Sequence, residues 1–228
     1  MMTWQTKNSE NRGYLAVPAT GEGPGVLLLH AWWGLTDFFT NLCDQLAAAG
    51  FVAFAPDMFA GQTAQTIAEA EQLIETVDGE TVQAVVESAV DYLREHTAVS
   101  GHKIGLMGFS FGAAWGLLAA TIFKPTDIGA VVVFYGNHPG LEWDDYAKAE
   151  AAFLGHFAEH DPYENADEVR HTEAEMQKGG REAKFYFYPN AGHWFIESNR
   201  PDAYQAEAAQ LAWSRTLIFL EHQLPKKA

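Results

Sequence analysis

The chain has 228 residues, 48% hydrophobic and 13% aromatic, enough to bury a substantial core and predicting one α/β domain over residues 1–228. A formal net charge of −16 argues against nucleic acid and anionic membrane surfaces as partners and works against attraction of anionic substrates. Its simplest role is solubility.

The opening, MMTWQTKNSENRG, holds no apolar stretch resembling a signal peptide, and no apolar run reaches the length of a membrane span. A cytoplasmic location is expected. Residues 13–17 predict an edge strand and 19–25 are turn material. Residues 26–30 (VLLLH) form a continuous apolar run, as a buried parallel strand requires, and Ala31-Trp32-Trp33-Gly34 follows. A helix is predicted over 36–49, closed by Gly50. It carries Cys43, whose solitude excludes an intrachain disulfide and agrees with a reducing compartment. Its expected role is that of a small buried hydrophobe. Residues 51–55 are the next strand, closed by Pro56-Asp57.

Residues 64–77 predict a helix with Ile67, Ala70, Ile74 and Val77 on one face. A stronger one covers 81–96, where Val82, Val85, Val86, Ala89, Val90 and Leu93 follow the i, i+3, i+4 spacing. Then comes KIGLMGFSFGAAWGLLAA, residues 103–120. Residues 104–107 suit a buried strand, 113–120 a helix, and Gly108-Phe109-Ser110-Phe111-Gly112 joins them. A G-x-S-x-G elbow needs this order: the glycines allow close backbone approach, and the serine sits at the apex of a strained turn above a helix N-terminus.

Further on, 130–135 (AVVVFY) is a buried strand and 137–150 a polar loop. Residues 151–157 are a strand leading into 158–162, and 166–178 an acidic surface helix stopped by Gly179-Gly180. Residues 184–188 form the last strand and 189–193 its exit loop. The final helix covers 203–222, with Ala209, Ala212, Trp213, Thr216, Leu217 and Leu220 inward. No repeat, low-complexity tract or linker interrupts the series. Strands alternating with helices imply a mostly parallel sheet with right-handed crossovers, whose ligand sites lie beyond the strand carboxyl ends. The loops after His30, Phe157 and Tyr188 therefore share one side with the elbow.

A serine hydroxyl needs a general base, and the base needs a third group to orient it. His193, in NAGHWF just past the last strand, is the candidate base among nine histidines. His96, His171 and His222 lie on predicted helices; His30, His156 and His160 lie near strand ends and position alone does not exclude them. His193 is preferred because Ser110, an acid and His193 follow the chain order of G-x-S-x-G hydrolases. Asp161, after the penultimate strand, is the candidate acid, with Asp57, Asp144, Asp145 and Glu159 as rivals; it could equally cap the next helix. Backbone N–H groups of Phe111 and Trp32 are the candidate oxyanion donors. Trp33, Tyr135 and Trp194 are candidate pocket walls. No cofactor is implied. His156-x3-His160-Asp161 has the residue types of a metal set, but on a strand end that spacing does not bring two imidazoles to one face.

Together these motifs resemble the dienelactone hydrolase family of α/β hydrolases, over nearly the whole chain from about Gly13 to Leu224. The resemblance rests on HAWWG, APDMFAG, GFSFGA, FLGHFAEHDP, YPNAGHWF and NRPDAY…AAQLAWSRTLIFL. It implies an α/β-hydrolase core without a large cap, cleaving an ester or lactone through an acyl-enzyme. Two departures stand out. The family's founding members carry cysteine where this chain has Ser110 and a thiol-contacting glutamate where it has Ala31, and both changes point to a serine mechanism driven by His193 and Asp161. The family also uses an arginine four residues after the histidine for a substrate carboxylate. That place is Glu197 here, and nearby Arg200 is expected to form a surface or helix-start ion pair. The expected activity is thus hydrolysis of a small-molecule ester or lactone. True dienelactone hydrolysis, or a binding protein that kept the fold and lost catalysis, are the alternatives. Oligomeric state is not legible.

Overall fold

The computed structural model describes residues 1–5 and 10–225; residues 6–9 of the polar opening and 226–228, the end of the expected domain, lie outside the described residues. Eight strands form one sheet in the order β1-β2-β4-β3-β5-β6-β7-β8. They are β1 Met2–Gln5, β2 Glu10–Ala16, β3 Gly23–Leu29, β4 Val52–Pro56, β5 Val99–Phe109, β6 Ile128–Phe134, β7 Ala152–Ala158 and β8 Ala183–Tyr188. From β4 to β8 every pairing is parallel; β1 and β2 pair antiparallel at one end. β3, β4 and β7 are buried along their whole length, which is why they read as unbroken apolar runs.

The helices are α1 Asp37–Ala48, α2 Ile67–Glu75, α3 Gly79–Glu95, α4 Phe111–Leu118, α5 Trp143–Tyr146, α6 Ala166–Lys178 and α7 Ala206–Gln223. They alternate with the strands as an α/β hydrolase requires. Among the described residues no large cap forms: the segment between β6 and β7 holds only the four-residue α5.

Several boundaries depart from expectation for identifiable reasons. The strand expected at 13–17 is not the edge, because β1 pairs outside it. β1 is anchored by Trp4, whose ring packs edge-on against Phe54 at 5.0 Å and whose indole N–H donates to Ser88 at 3.3 Å. α2 starts at Ile67, not residue 64, because Thr66 and Glu69 close a capping box there. Its buried positions are Ala70 and Leu73, while Ile67 is exposed. The segment 137–150 is not all loop: Glu142 begins α5, which buries Tyr146. The elbow helix continues as a π-helical turn, Ala119–Phe123, where the Thr121 hydroxyl donates to the Leu117 carbonyl at 2.8 Å. On α7, Ala209, Ala212, Thr216 and Leu220 are buried, whereas Trp213 and Leu217 are half-covered.

Candidate active site

The parallel strands deliver three loops to one rim of the sheet. β5 ends at Phe109 and α4 begins at Phe111, so Ser110 alone makes the turn. Its φ of 49° and ψ of −114° lie where non-glycine residues rarely sit, a strain of about 1–3 kcal/mol that the surroundings must hold. They hold it by close packing. A Cβ on Gly108 would stand 2.5 Å from the Gly112 carbonyl oxygen, and one on Gly112 would stand 2.4 Å from that of Leu29. The Ser110 N–H donates to the Phe134 carbonyl at 2.9 Å. Beneath the turn, the Phe109 and Phe134 rings stack at 4.8 Å.

The Ser110 hydroxyl lies 3.0 Å from His193 Nε2. His193 Nδ1 lies 2.7 Å from Asp161 Oδ2 and 2.9 Å from Oδ1. The two side chains are 4% and 1% exposed, so this contact is shielded from water. With Nδ1–H donating to the carboxylate, Nε2 is left as the acceptor for the serine proton. Asp161 is fixed in turn: its Oδ1 accepts the N–H of Tyr163 at 2.8 Å and of Glu164 at 3.3 Å. Residues 110, 161 and 193, far apart in sequence, therefore form one hydrogen-bonded row.

The competing strand-end histidines are structural. His30 is buried, its Nδ1 donating to the Ala31 carbonyl at 2.7 Å and its Nε2 accepting the Met58 N–H at 3.0 Å. Burial lowers its pKa to about 4, so it stays neutral. His156 is buried between the Tyr188 and Thr216 hydroxyls at 2.9 and 3.1 Å, and burial lowers it to about 3. His160 is exposed, so His156 and His160 share no site. Among the described residues no group of three His, Cys, Asp or Glu side chains is placed to hold a metal ion.

Phe111 is the first residue of α4, so its N–H has no intrahelical acceptor. Gly112 abuts the Leu29 and His30 carbonyls, which sets the loop carrying Trp32 beside the elbow. Around His193 lies an aromatic cluster. Trp32 and Trp194 stack at 6.3 Å, and Trp33 meets Trp194 edge-on at 5.3 Å. Trp33 and Tyr135 are fully buried and stand behind the accessible rings. Tyr135 has a positive φ of 37°, and its ring lies 4.9 Å from that of His193. Tyr163, half exposed in the turn after Asp161-Pro162, lies 4.7 Å from the His193 ring; sequence reasoning passed over it.

Behind this cluster sits Glu197, 1% exposed, which accepts the Tyr135 hydroxyl at 2.8 Å and Arg200 Nε at 3.1 Å. Burial pushes its carboxyl up to about 7, opposed by those two partners. Arg200 does form the expected ion pair, but not at the surface: its guanidinium lies over the Trp33 ring at 3.1 Å. A carboxyl that the sequence reading did not single out, Glu164, is raised to about 7 by burial and by the adjacent Asp161 charge.

The profile of the dienelactone hydrolase family matches residues 11–224. The chain belongs to the dienelactone hydrolase family. It is 34% identical to Protein usf of Aquifex pyrophilus over 98% of each chain. It is also 34% identical to a protein of Bradyrhizobium sp named "Probable 2-oxo-3-(5-oxofuran-2-ylidene)propanoate lactonase", over 95% of this chain and 92% of that one. In fold it is similar to a dienelactone hydrolase-like promiscuous phosphotriesterase from metagenomic libraries, at a TM-score of 0.86 and 21% identity over 97% and 96% of the two chains. As a member of this family it is a hydrolase acting on ester bonds. Within that frame Ala31, where the founding members carry a glutamate, is wholly buried.

Proposed function

We propose that this protein is a serine esterase or lactonase working through an acyl-enzyme on Ser110. The observation that carries the reading is the row Ser110–His193–Asp161, with contacts of 3.0 and 2.7 Å. Ser110 Oγ bonds to the substrate carbonyl carbon as its proton passes to His193 Nε2. The oxyanion takes the N–H groups of Phe111 and Trp32. The carbon–oxygen bond to the leaving group then breaks, and His193 returns the proton to the departing alkoxide. Water, deprotonated by His193, attacks the acyl carbon; the carbon–oxygen bond to Ser110 breaks, His193 returns the proton to Oγ, and the acid leaves. Asp161 keeps Nδ1–H facing itself and stabilises the imidazolium.

The substrate is a small ester or lactone without a free carboxylate. Arg200, the cation beside the aromatic cluster, is already paired with Glu197 and laid over Trp33, and the chain's charge of −16 repels anions. The lactonase name of the Bradyrhizobium relative supports the lactone ring alone: the propanoate in that name carries a carboxylate, whereas Arg200 here is already paired with Glu197. A cytoplasmic setting belongs to the same reading, supported by the buried free thiol of Cys43. The experiment is hydrolysis of uncharged aryl esters and lactones by wild type and Ser110→Ala. The variant should lose turnover on every substrate that the wild type cleaves; full turnover by the variant would sink the assignment.

A further inference from the structure

We infer that Tyr163 is a specificity-determining residue that seats a planar, aromatic leaving group against His193. The inference rests on the proposed role of His193 as the group that protonates the departing oxygen. A proton donor must come within hydrogen-bond distance of that oxygen. The leaving group, unlike the acyl group, is therefore forced against the imidazole edge.

What surrounds that imidazole is aromatic. The Tyr163 ring centroid lies 4.7 Å from His193, 5.3 Å from Trp194 and 5.8 Å from Trp32. Trp33 and Tyr135 are 1% and 0% exposed and cannot meet a substrate without rearrangement, whereas Tyr163 keeps 47% of its surface open. The Tyr163 ring thus neighbours a histidine and two indoles while half of its surface stays open, and a second flat ring packs well against aromatic surface of that kind. The ring is also held in place. Pro162 restricts the backbone before it, and the Tyr163 N–H donates to Asp161 Oδ1 at 2.8 Å, so the wall and the His193 partner share one turn.

The test uses two acetates with the same acyl group, phenyl acetate and 2,2,2-trifluoroethyl acetate, and reads kcat/KM, which reports the acylation step. Each variant is compared with wild type on the same substrate, so differences in intrinsic reactivity cancel. Tyr163→Ala should lower kcat/KM for phenyl acetate about tenfold more than for the trifluoroethyl ester, the loss of one stacked aromatic pair with its buried area. Tyr163→Phe should leave both within about twofold. Tyr163→Leu, which keeps apolar bulk, should behave like the alanine variant and serves if that one fails to fold. Equal losses on both esters would mean that Tyr163 only positions His193, and unchanged kinetics that it contacts nothing in the reaction; either overturns the inference. Turnover of both esters by Ser110→Ala would instead refute the underlying reading.

Discussion

Replacing Glu197 with glutamine should erase a defined part of the pH dependence of folding. The carboxyl is 1% exposed and is raised from 4.5 to about 7, chiefly by burial. An acid whose pKa is higher in the folded state binds its proton more tightly there than in the unfolded chain. The stability contributed by this group is therefore greatest below about 4.5, falls as pH rises between 4.5 and 7, and levels off above that. The full displacement corresponds to about 3 kcal/mol. Glutamine reproduces the shape and hydrogen-bonding capacity of the neutral acid but never ionises. The assay is urea unfolding of wild type and Glu197→Gln between pH 4.5 and 8.5. The stability of the variant relative to wild type should rise by about 3 kcal/mol across that window, while contributions from Glu164 and other carboxyls, common to both proteins, cancel. A difference that does not change with pH would show that burial does not raise the carboxyl, and would refute the picture of a shielded Tyr135–Glu197–Arg200 network behind the site.

Two further outcomes follow. Asp161→Asn keeps an oxygen for the Tyr163 and Glu164 amides but no longer stabilises the imidazolium, so kcat should fall by about 10³–10⁴ with little loss of thermal stability. Gly112→Ala would push a methyl to within 2.4 and 2.5 Å of the Leu29 and His30 carbonyl oxygens. Because both obstacles are backbone, the cost should be about 1–3 kcal/mol, read as a drop of several degrees in Tm together with lost turnover.

Much of the fold was legible because its signals are local. The runs VLLLH, AVVVFY and the strand before the elbow read as buried strands from composition alone, and the capping glycines marked their helices. The row of Ser110, Asp161 and His193 was legible through chain order on strand-end loops. What was missed depends on contacts distant in sequence. β1 is short, and its burial comes from Trp4 meeting Phe54 and Tyr92. Glu197 was legible only as a departure from the family's arginine; its burial shows once Tyr135, 62 residues away, donates to it. Tyr163 follows Asp161-Pro162 and reads as an ordinary exposed turn residue; only the return of His193 and Trp194 from another loop gives it a neighbour. The strand-end histidines His30 and His156 could be set aside only when their hydrogen-bond partners were visible.

One measurement bears on all of this most directly: reaction of the intact protein with a fluorophosphonate, followed by peptide mass mapping. A hydroxyl made nucleophilic by a shielded imidazole should carry a single phosphonyl adduct, on Ser110, and His193→Ala should slow its formation by orders of magnitude. A native protein that stays unlabelled, or that is labelled at another side chain, would contradict the account.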